Sequence, residues 1–88
     1  MGFNVRQIQP TPNPNAMKFV LDGAISSQPI SFLNAEQAAG HPLAEKLFSV
    51  QGVTHVMLLG DFVTIGKRPE AKWYQINESI KRVLELAN

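Results

Sequence analysis

The sequence contains no cysteine among its 88 residues. Disulfides, zinc–thiolate centres and catalytic thiols are therefore excluded. No apolar run approaches the roughly 18 residues that a membrane-spanning helix needs. The N-terminus has no charged region followed by an apolar stretch, as a signal peptide would, and it is poor in arginine and serine, unlike a transit peptide. We therefore expect a soluble cytoplasmic protein that does not bind membranes.

Charge is also scarce. Charged residues make up 17% of the chain and the net charge is +1, whereas about 25% charged residues is usual. A dedicated nucleic-acid-binding protein needs a strong basic field, so we expect no nucleic-acid partner. The hydrophobic fraction of 44% is high enough for a folded core. The length predicts one small domain that comprises residues 1–88.

Three strands are predicted in the first half of the chain. Residues 3–9 have a strand-like composition, and residues 10–15 form a loop because their prolines disfavour helix. In residues 17–21 large apolar side chains recur at every second position, which is typical of a half-buried strand. Residues 30–32 are a third, short strand candidate. Residues 34–40 can hold one helical turn that is capped by its first residue and ended by its glycine.

A helix is predicted to follow. Pro42 suits the first position of a helix, where its missing N–H costs nothing. Leu43, Leu47 and Val50 recur at helical spacing and define one apolar face. Gly52 is placed where a left-handed residue commonly ends a helix.

The last third of the chain predicts a hairpin and a second helix. Residues 53–59 and 62–67 favour strands, and the Gly60-Asp61 pair between them is typical of a hairpin turn. The final helix carries one apolar stripe, formed by Trp73, Ile76, Ile80, Val83, Leu84 and Ala87. The whole order predicts an α+β fold: a two-layer domain with an antiparallel β-sheet of about four or more strands and two main helices on one face.

Motifs of catalysis and metal binding are missing. His41 and His55 are too far apart in the sequence for a paired-histidine motif, and a metal site would need both to converge with a carboxylate such as Asp61. No activated nucleophile beside a base is visible, and no glycine-rich phosphate loop occurs. We therefore expect no enzyme activity, no metal site and no cofactor.

Several segments together resemble a known family. They are Thr11–Phe19 (TPNPNAMKF), the helix start His41–Ala44 (HPLA), and Gly52-Val53 leading into Asp61–Ile65 (DFVTI). In this order and spacing they resemble the N-terminal domain of NifU/Nfu-type iron–sulfur cluster scaffold proteins, in a stand-alone form. His41 departs from the family pattern, which has serine there, and serine is the stronger helix N-cap.

This resemblance implies a function that the residues alone do not. It implies a non-catalytic accessory or protein-interaction module of iron–sulfur cluster assembly, whose partners are cluster-assembly or cluster-receiving proteins. In the family, a second domain with a Cys-x-x-Cys motif usually binds the cluster, and its cysteines have no counterpart here. A general peptide- or phosphopeptide-binding module unrelated to iron is the alternative.

The candidate partner-binding residues centre on one loop. Prolines stiffen it and asparagines supply donors and acceptors with little bulk, which suits recognition. We expect partner contacts from Thr11, Asn13, Asn15, His41, Lys67 and Arg68. Two alternatives remain open: that Asn13 and Asn15 only make turns that fix the entry to the second strand, and that the basic residues only form a solvated surface.

Overall fold

A computed structural model describes residues 2–87 as a single antiparallel sheet with two helices. The strand order is β1-β2-β5-β4-β3, and both helices pack on the same face of the sheet. The predicted two-layer α+β architecture is confirmed. The elements are β1 (Val5–Pro10), β2 (Ala16–Leu21), β3 (Ser26–Phe32), α1 (Pro42–Phe48), β4 (Val53–Gly60), β5 (Phe62–Lys67) and α2 (Trp73–Leu86).

The core lies between the sheet and the two helices. Alternate residues of the strands point to this layer, and apolar side chains from one face of each helix meet them. The fully buried large side chains are Phe19, Leu21, Leu47, Val56, Leu58, Val63, Ile65, Ile80 and Leu84.

The β4–β5 hairpin follows the prediction closely. Leu59 pairs with Phe62 across a two-residue turn, and Gly60 adopts a positive φ of 58°. A glycine with positive φ at the first central position is typical of hairpin turns, whose twist matches that of the strands. The hairpin supplies the central strand of the sheet, β5, and its neighbour β4.

Helix α1 is shorter than its apolar pattern suggests. Leu47 is fully buried, while Leu43 and Val50 are half-buried. The helix ends at Phe48 with Ser49 as its C-cap, so the prediction that Gly52 ends this helix was wrong. Gly52 does have a positive φ of 99°, but it lies in the turn that enters β4. A β-carbon there would lie 3.0 Å from the Ala71 β-carbon, so the turn also needs a residue without a side chain.

The segment before α1 forms successive tight turns. Its hydrogen bonds run from the N–H of one residue to the carbonyl three positions before, as in Ala38 to Ala35 and His41 to Ala38. Asn34 caps the segment, because its Oδ1 accepts from Gln37 N at 2.9 Å. Gly40 closes it with a φ of 90°. The predicted single helical turn is therefore a series of turns.

Helix α2 spans Trp73–Leu86, in agreement with the prediction. Its stripe is confirmed: Ile76, Ile80 and Leu84 are buried, and Trp73 and Val83 are half-buried. Lys72 precedes the helix and provides no side-chain cap, so packing holds the helix in place. Neither this helix nor α1 is long and apolar enough to cross a membrane, within residues 2–87.

Candidate functional site

The loop between β1 and β2, which we call the Pro–Asn loop (residues 11–15), is fixed by its own hydrogen bonds. Thr11 Oγ1 accepts from Asn13 N at 3.1 Å. The same hydroxyl lies 2.9 Å from Asn13 O and 3.0 Å from Ala16 O, so these two acceptors share its single hydrogen. Asn13 Oδ1 accepts from Asn15 N at 2.9 Å. Side-chain turns of this kind, together with two prolines, leave the loop few alternative conformations.

Lys67 ties the Pro–Asn loop to the end of β5. The residue is only 8% exposed, and its Nζ donates to Asn15 Oδ1 at 2.9 Å and to Arg68 O at 3.2 Å. The main chains are also joined, because Lys67 N donates to Asn15 O at 2.8 Å. Lysine is almost never buried without partners. Here neutral oxygens replace the water that an exposed ammonium group would have.

Trp73 adds a second tie from the start of α2. Its Nε1 donates to Pro14 O at 3.1 Å. Its ring also lies near the buried cation, with Lys67 Nζ 5.6 Å from the ring centroid, within the range of a cation–π interaction. The loop is therefore held from below by the sheet and from the side by the helix.

These contacts leave the outer rim of the Pro–Asn loop free. Pro12, Asn13 and Pro14 are exposed. Asn13 uses its side-chain oxygen within the loop, whereas its Nδ2 amide group donates to no other residue among residues 2–87. A stiff, exposed rim with two unused N–H donors is suited to contact with another molecule.

A cleft of about 550 Å³ lies on another part of the surface, and none of residues 11–15 lines it. It lies between the turn that follows α1, the segment that follows β5, and α2. Arg68 is exposed at its edge. The lining residues are Val50, Gln51, Gly52, Arg68, Glu70, Ala71, Gln75, Ile76 and Ser79.

His41 lies elsewhere. It is the N-cap of α1, where its Nδ1 accepts from Ala44 N at 3.2 Å. Its ring packs edge-on against Phe32 of β3 at 5.3 Å. Because β3 and β1 form opposite edges of the sheet, His41 is not near the Pro–Asn loop. Four of the other predicted residues are joined at the loop by hydrogen bonds: Thr11, Asn13, Asn15 and Lys67. Arg68 follows Lys67, and its N–H donates to Gly52 O on the side of the cleft.

Trp73 and Pro14 belong to this cluster but were not among the predicted site residues. The sequence pattern places Trp73 on the apolar stripe of α2 and gives no information on its indole N–H. A partly buried tryptophan needs an acceptor for that group, so the need could be foreseen. The acceptor could not, because Pro14 is 59 residues away in the sequence.

The histidines do not converge on a metal site. His55 lies on β4 opposite Gly66 of β5, and its ring occupies the space that a side chain at Gly66 would take. Within residues 2–87, no group of three or more histidines and carboxylates is close enough to hold a metal ion.

Comparisons with known proteins agree with this architecture. The chain is 39% identical over 80 residues to "NFU1 iron-sulfur cluster scaffold homolog, mitochondrial" of Drosophila erecta and to the same-named protein of Drosophila yakuba. The matched region is 89% of this chain but only 28% of each fly protein. This chain therefore spans less than a third of those relatives.

Solved structures give the same fold. A NifU-like protein from Saccharomyces cerevisiae superposes with a TM-score of 0.79 at 27% identity, over 94% of this chain and 76% of that one. The crystal structure of SAV1430 from Staphylococcus aureus has a TM-score of 0.77 over 91% of this chain and 96% of that one. At 21% identity, this second likeness concerns the fold alone.

A family comparison covers nearly the whole chain. Residues 6–87 match the family described as "Scaffold protein Nfu/NifU N terminal". This range includes the Pro–Asn loop, both helices and the hairpin. The chain therefore belongs to the Nfu/NifU N-terminal scaffold family.

Proposed function

We propose that this chain is a non-catalytic protein-interaction module of iron–sulfur cluster assembly. Membership of the scaffold family supports the process, and the absence of cysteine supports the accessory role, because thiolates hold iron–sulfur clusters. The cluster would be cargo bound by a partner. We propose cluster-assembly or cluster-receiving proteins as the partners.

The observation that carries the proposal is the rigidity of an exposed loop. Pro12, Asn13 and Pro14 face solvent, yet the loop beneath them is held by Lys67 and Trp73. Ordering a flexible loop on binding costs free energy, so a surface that is already ordered binds more tightly for the same contacts. A buried lysine is an unusual support for a loop that only connects two strands.

Asn13→Asp tests this surface without removing the loop's support. The aspartate keeps an oxygen for the N–H of Asn15 and replaces the outward N–H donors with an acceptor. Asn34→Asp is the matched control, because Asn34 also accepts from a main-chain N–H with its Oδ1. It introduces the same charge, beside β3 at the opposite edge of the sheet.

Partners should first be captured from cell extract with the wild-type protein and identified by mass spectrometry. Each is then titrated against both variants by calorimetry, and stability is followed by thermal melting. We expect Asn13→Asp to weaken binding by about tenfold, which corresponds to about 1.4 kcal/mol. We expect Asn34→Asp to bind with the affinity of the wild type. Both variants should keep the melting temperature of the wild type. Equal affinities for the two variants would contradict a partner surface at the loop.

Peptide or phosphopeptide binding unrelated to iron is the second candidate function. It is favoured by the exposed Arg68 at the edge of the 550 Å³ cleft, because arginine forms bidentate hydrogen bonds with phosphate groups. If capture returns phosphoproteins without cluster-assembly proteins, this function replaces the first. In that case Arg68→Gln should abolish capture.

The cytoplasmic location is also a proposal. The matched fly proteins are named as mitochondrial, so the location must be measured for this protein itself. Fractionation of cells with an antibody against residues 1–88 should find it with cytosolic markers. Enrichment in a membrane-bounded organelle would refute the proposal.

A further inference from the structure

The face of the sheet that the helices leave uncovered is partly apolar. Its side chains alternate with the core positions. Val20 of β2 pairs with Phe62 of β5, and Leu59 of β4 flanks Phe62 on the other side. With Met57, these residues are half-buried by one another but covered by no helix. We call them the open apolar patch.

A lysine lies across the open apolar patch. Lys18 of β2 is half-buried, and its Nζ lies 4.2 Å above the centroid of the Phe62 ring. The ring is the only partner of this ammonium group among residues 2–87. A cation held over an aromatic ring keeps most of its charge available to an anion from outside.

The sheet has no negative charge to balance this cation. None of its five strands, within residues 5–67, contains an aspartate or glutamate. Two acidic residues lie next to these strands in the sequence. Asp22 follows β2, and Asp61 lies between β4 and β5. Asp22 hydrogen-bonds to the neutral Asn4, and neither carboxylate pairs with Lys18 among residues 2–87. The strands of the open face therefore carry apolar side chains and the Lys18 cation, with no carboxylate of their own.

We infer that the open apolar patch docks an acidic amphipathic helix of a partner protein. A sheet face that carries apolar side chains is commonly covered by a helix. Such a helix would place its apolar stripe on Val20, Met57, Leu59 and Phe62, and a glutamate beside Lys18. This surface is the broad face of the sheet and not the Pro–Asn loop, so the inference goes beyond the proposed function.

Charge also favours an acidic helix over a second copy of this chain as the occupant. In a two-fold symmetric dimer the same patch contributes from both subunits. The strands of the second sheet would then supply no carboxylate to Lys18. An acidic helix supplies carboxylates to Lys18, and charge complementarity of this kind favours one partner over another.

The test uses two synthetic helical peptides and two variants. The first peptide carries leucine at positions i, i+3, i+4 and i+7 with glutamate on the outer face, and the second has lysine in place of every glutamate. Lys18→Glu reverses the charge on the open face. Lys46→Glu is the matched control, because Lys46 is exposed on α1 on the other side of the molecule. Thermal melting confirms that both variants fold.

We expect the glutamate peptide to shift the amide resonances of Lys18, Met57 and Phe62 in NMR titrations. Lys18→Glu should weaken the affinity for the glutamate peptide about tenfold, because an attractive surface charge pair becomes repulsive. Lys46→Glu should leave this affinity unchanged. The lysine peptide should show the reverse preference for Lys18→Glu. The inference is overturned if the shifts lie on α1 and α2, if both variants weaken binding equally, or if sedimentation shows a dimer of the protein that uses this face.

Discussion

The buried lysine provides the sharpest test of how the candidate site is built. Lys67→Met keeps the volume of the side chain but removes the ammonium group. Asn15 Oδ1 then loses its 2.9 Å donor, whereas Arg68 O keeps a second donor, the N–H of Ala71 at 3.0 Å. A hydrogen bond to a charged group contributes about 1.5–3 kcal/mol. We therefore expect Lys67→Met to lower the free energy of unfolding by about 2 kcal/mol.

Asn15→Ala removes the same hydrogen bond from the other side. It leaves a buried ammonium group with only the carbonyls of Arg68 at 3.2 Å and Pro69 at 3.5 Å. An underpaired buried charge costs more than an unpaired amide oxygen, so we expect a larger loss, of about 3 kcal/mol. In the double variant neither the ammonium group nor the amide remains. Its loss of unfolding free energy should therefore be smaller than the sum of the losses in the two single variants, by about 1–2 kcal/mol.

Urea denaturation followed by the fluorescence of Trp73, the single tryptophan, measures all four proteins of this cycle. A loss of 2 kcal/mol should also lower the melting temperature by about 10 °C in a domain of this size. Lys72→Met is the matched control, because it removes the same charge from an exposed residue of the same segment. We expect it to change the free energy of unfolding by less than about 0.5 kcal/mol. If the loss in the double variant equals the sum of the two single losses within about 0.3 kcal/mol, Lys67 and Asn15 contribute independently and the proposed link between them is refuted.

Three further predictions follow from the core, the turns and the absence of cysteine. Leu84→Ala should lower the free energy of unfolding by about 3–4 kcal/mol because Leu84 is fully buried, and Trp73→Ala by about 2 kcal/mol because Trp73 is half-buried. Urea denaturation is followed here by circular dichroism, because Trp73→Ala has no tryptophan, and midpoints equal to that of the wild type would show that the helix face is misplaced. Gly52→Ala should cost about 1–2 kcal/mol more than Gly40→Ala, since both residues have positive φ but only Gly52 meets another side chain at 3.0 Å. Anaerobic reconstitution with iron and sulfide should give no stable cluster on the monomer, because the chain has no thiolate; stoichiometric iron with charge-transfer absorption co-eluting with the monomer would contradict this.

Local patterns predict the parts of this fold whose determinants are close in sequence. The β4–β5 hairpin is predictable because Gly60-Asp61 separates two strand-forming segments by only two residues. Helix α2 is predictable because its buried residues Ile76, Ile80 and Leu84 repeat at helical spacing. In both cases one short window contains the whole signal.

The edge strand β3 shows where such patterns fail. Residues 30–32 were predicted, but the strand begins at Ser26. Its pairing with β4 shifts register between Ser26 and Ile30, and Pro29 between them has no N–H for a ladder bond. An edge strand tolerates both features, and neither produces an alternating pattern.

The candidate site depends on contacts between distant residues. The Pro–Asn loop was predicted from its prolines and asparagines alone, whereas its link to Lys67 joins residues 52 positions apart. That link exists because β2 pairs with β5, and strand order is not readable from local patterns. The same strand order puts His41 at the opposite edge. The role of these residues in partner binding, and the extent of a single domain over residues 1–88, stay predictions.

The indole N–H of Trp73 allows the most direct test of a partner surface at the Pro–Asn loop. The chain has one tryptophan, so it gives one indole resonance, and that N–H donates to Pro14 O within the loop. A captured cluster-assembly partner is titrated into the isotope-labelled protein until binding is saturated. We expect the indole resonance and the amide resonances of Thr11 and Asn13 to shift together, in proportion to the bound fraction. Saturated binding with these three resonances unmoved would contradict it.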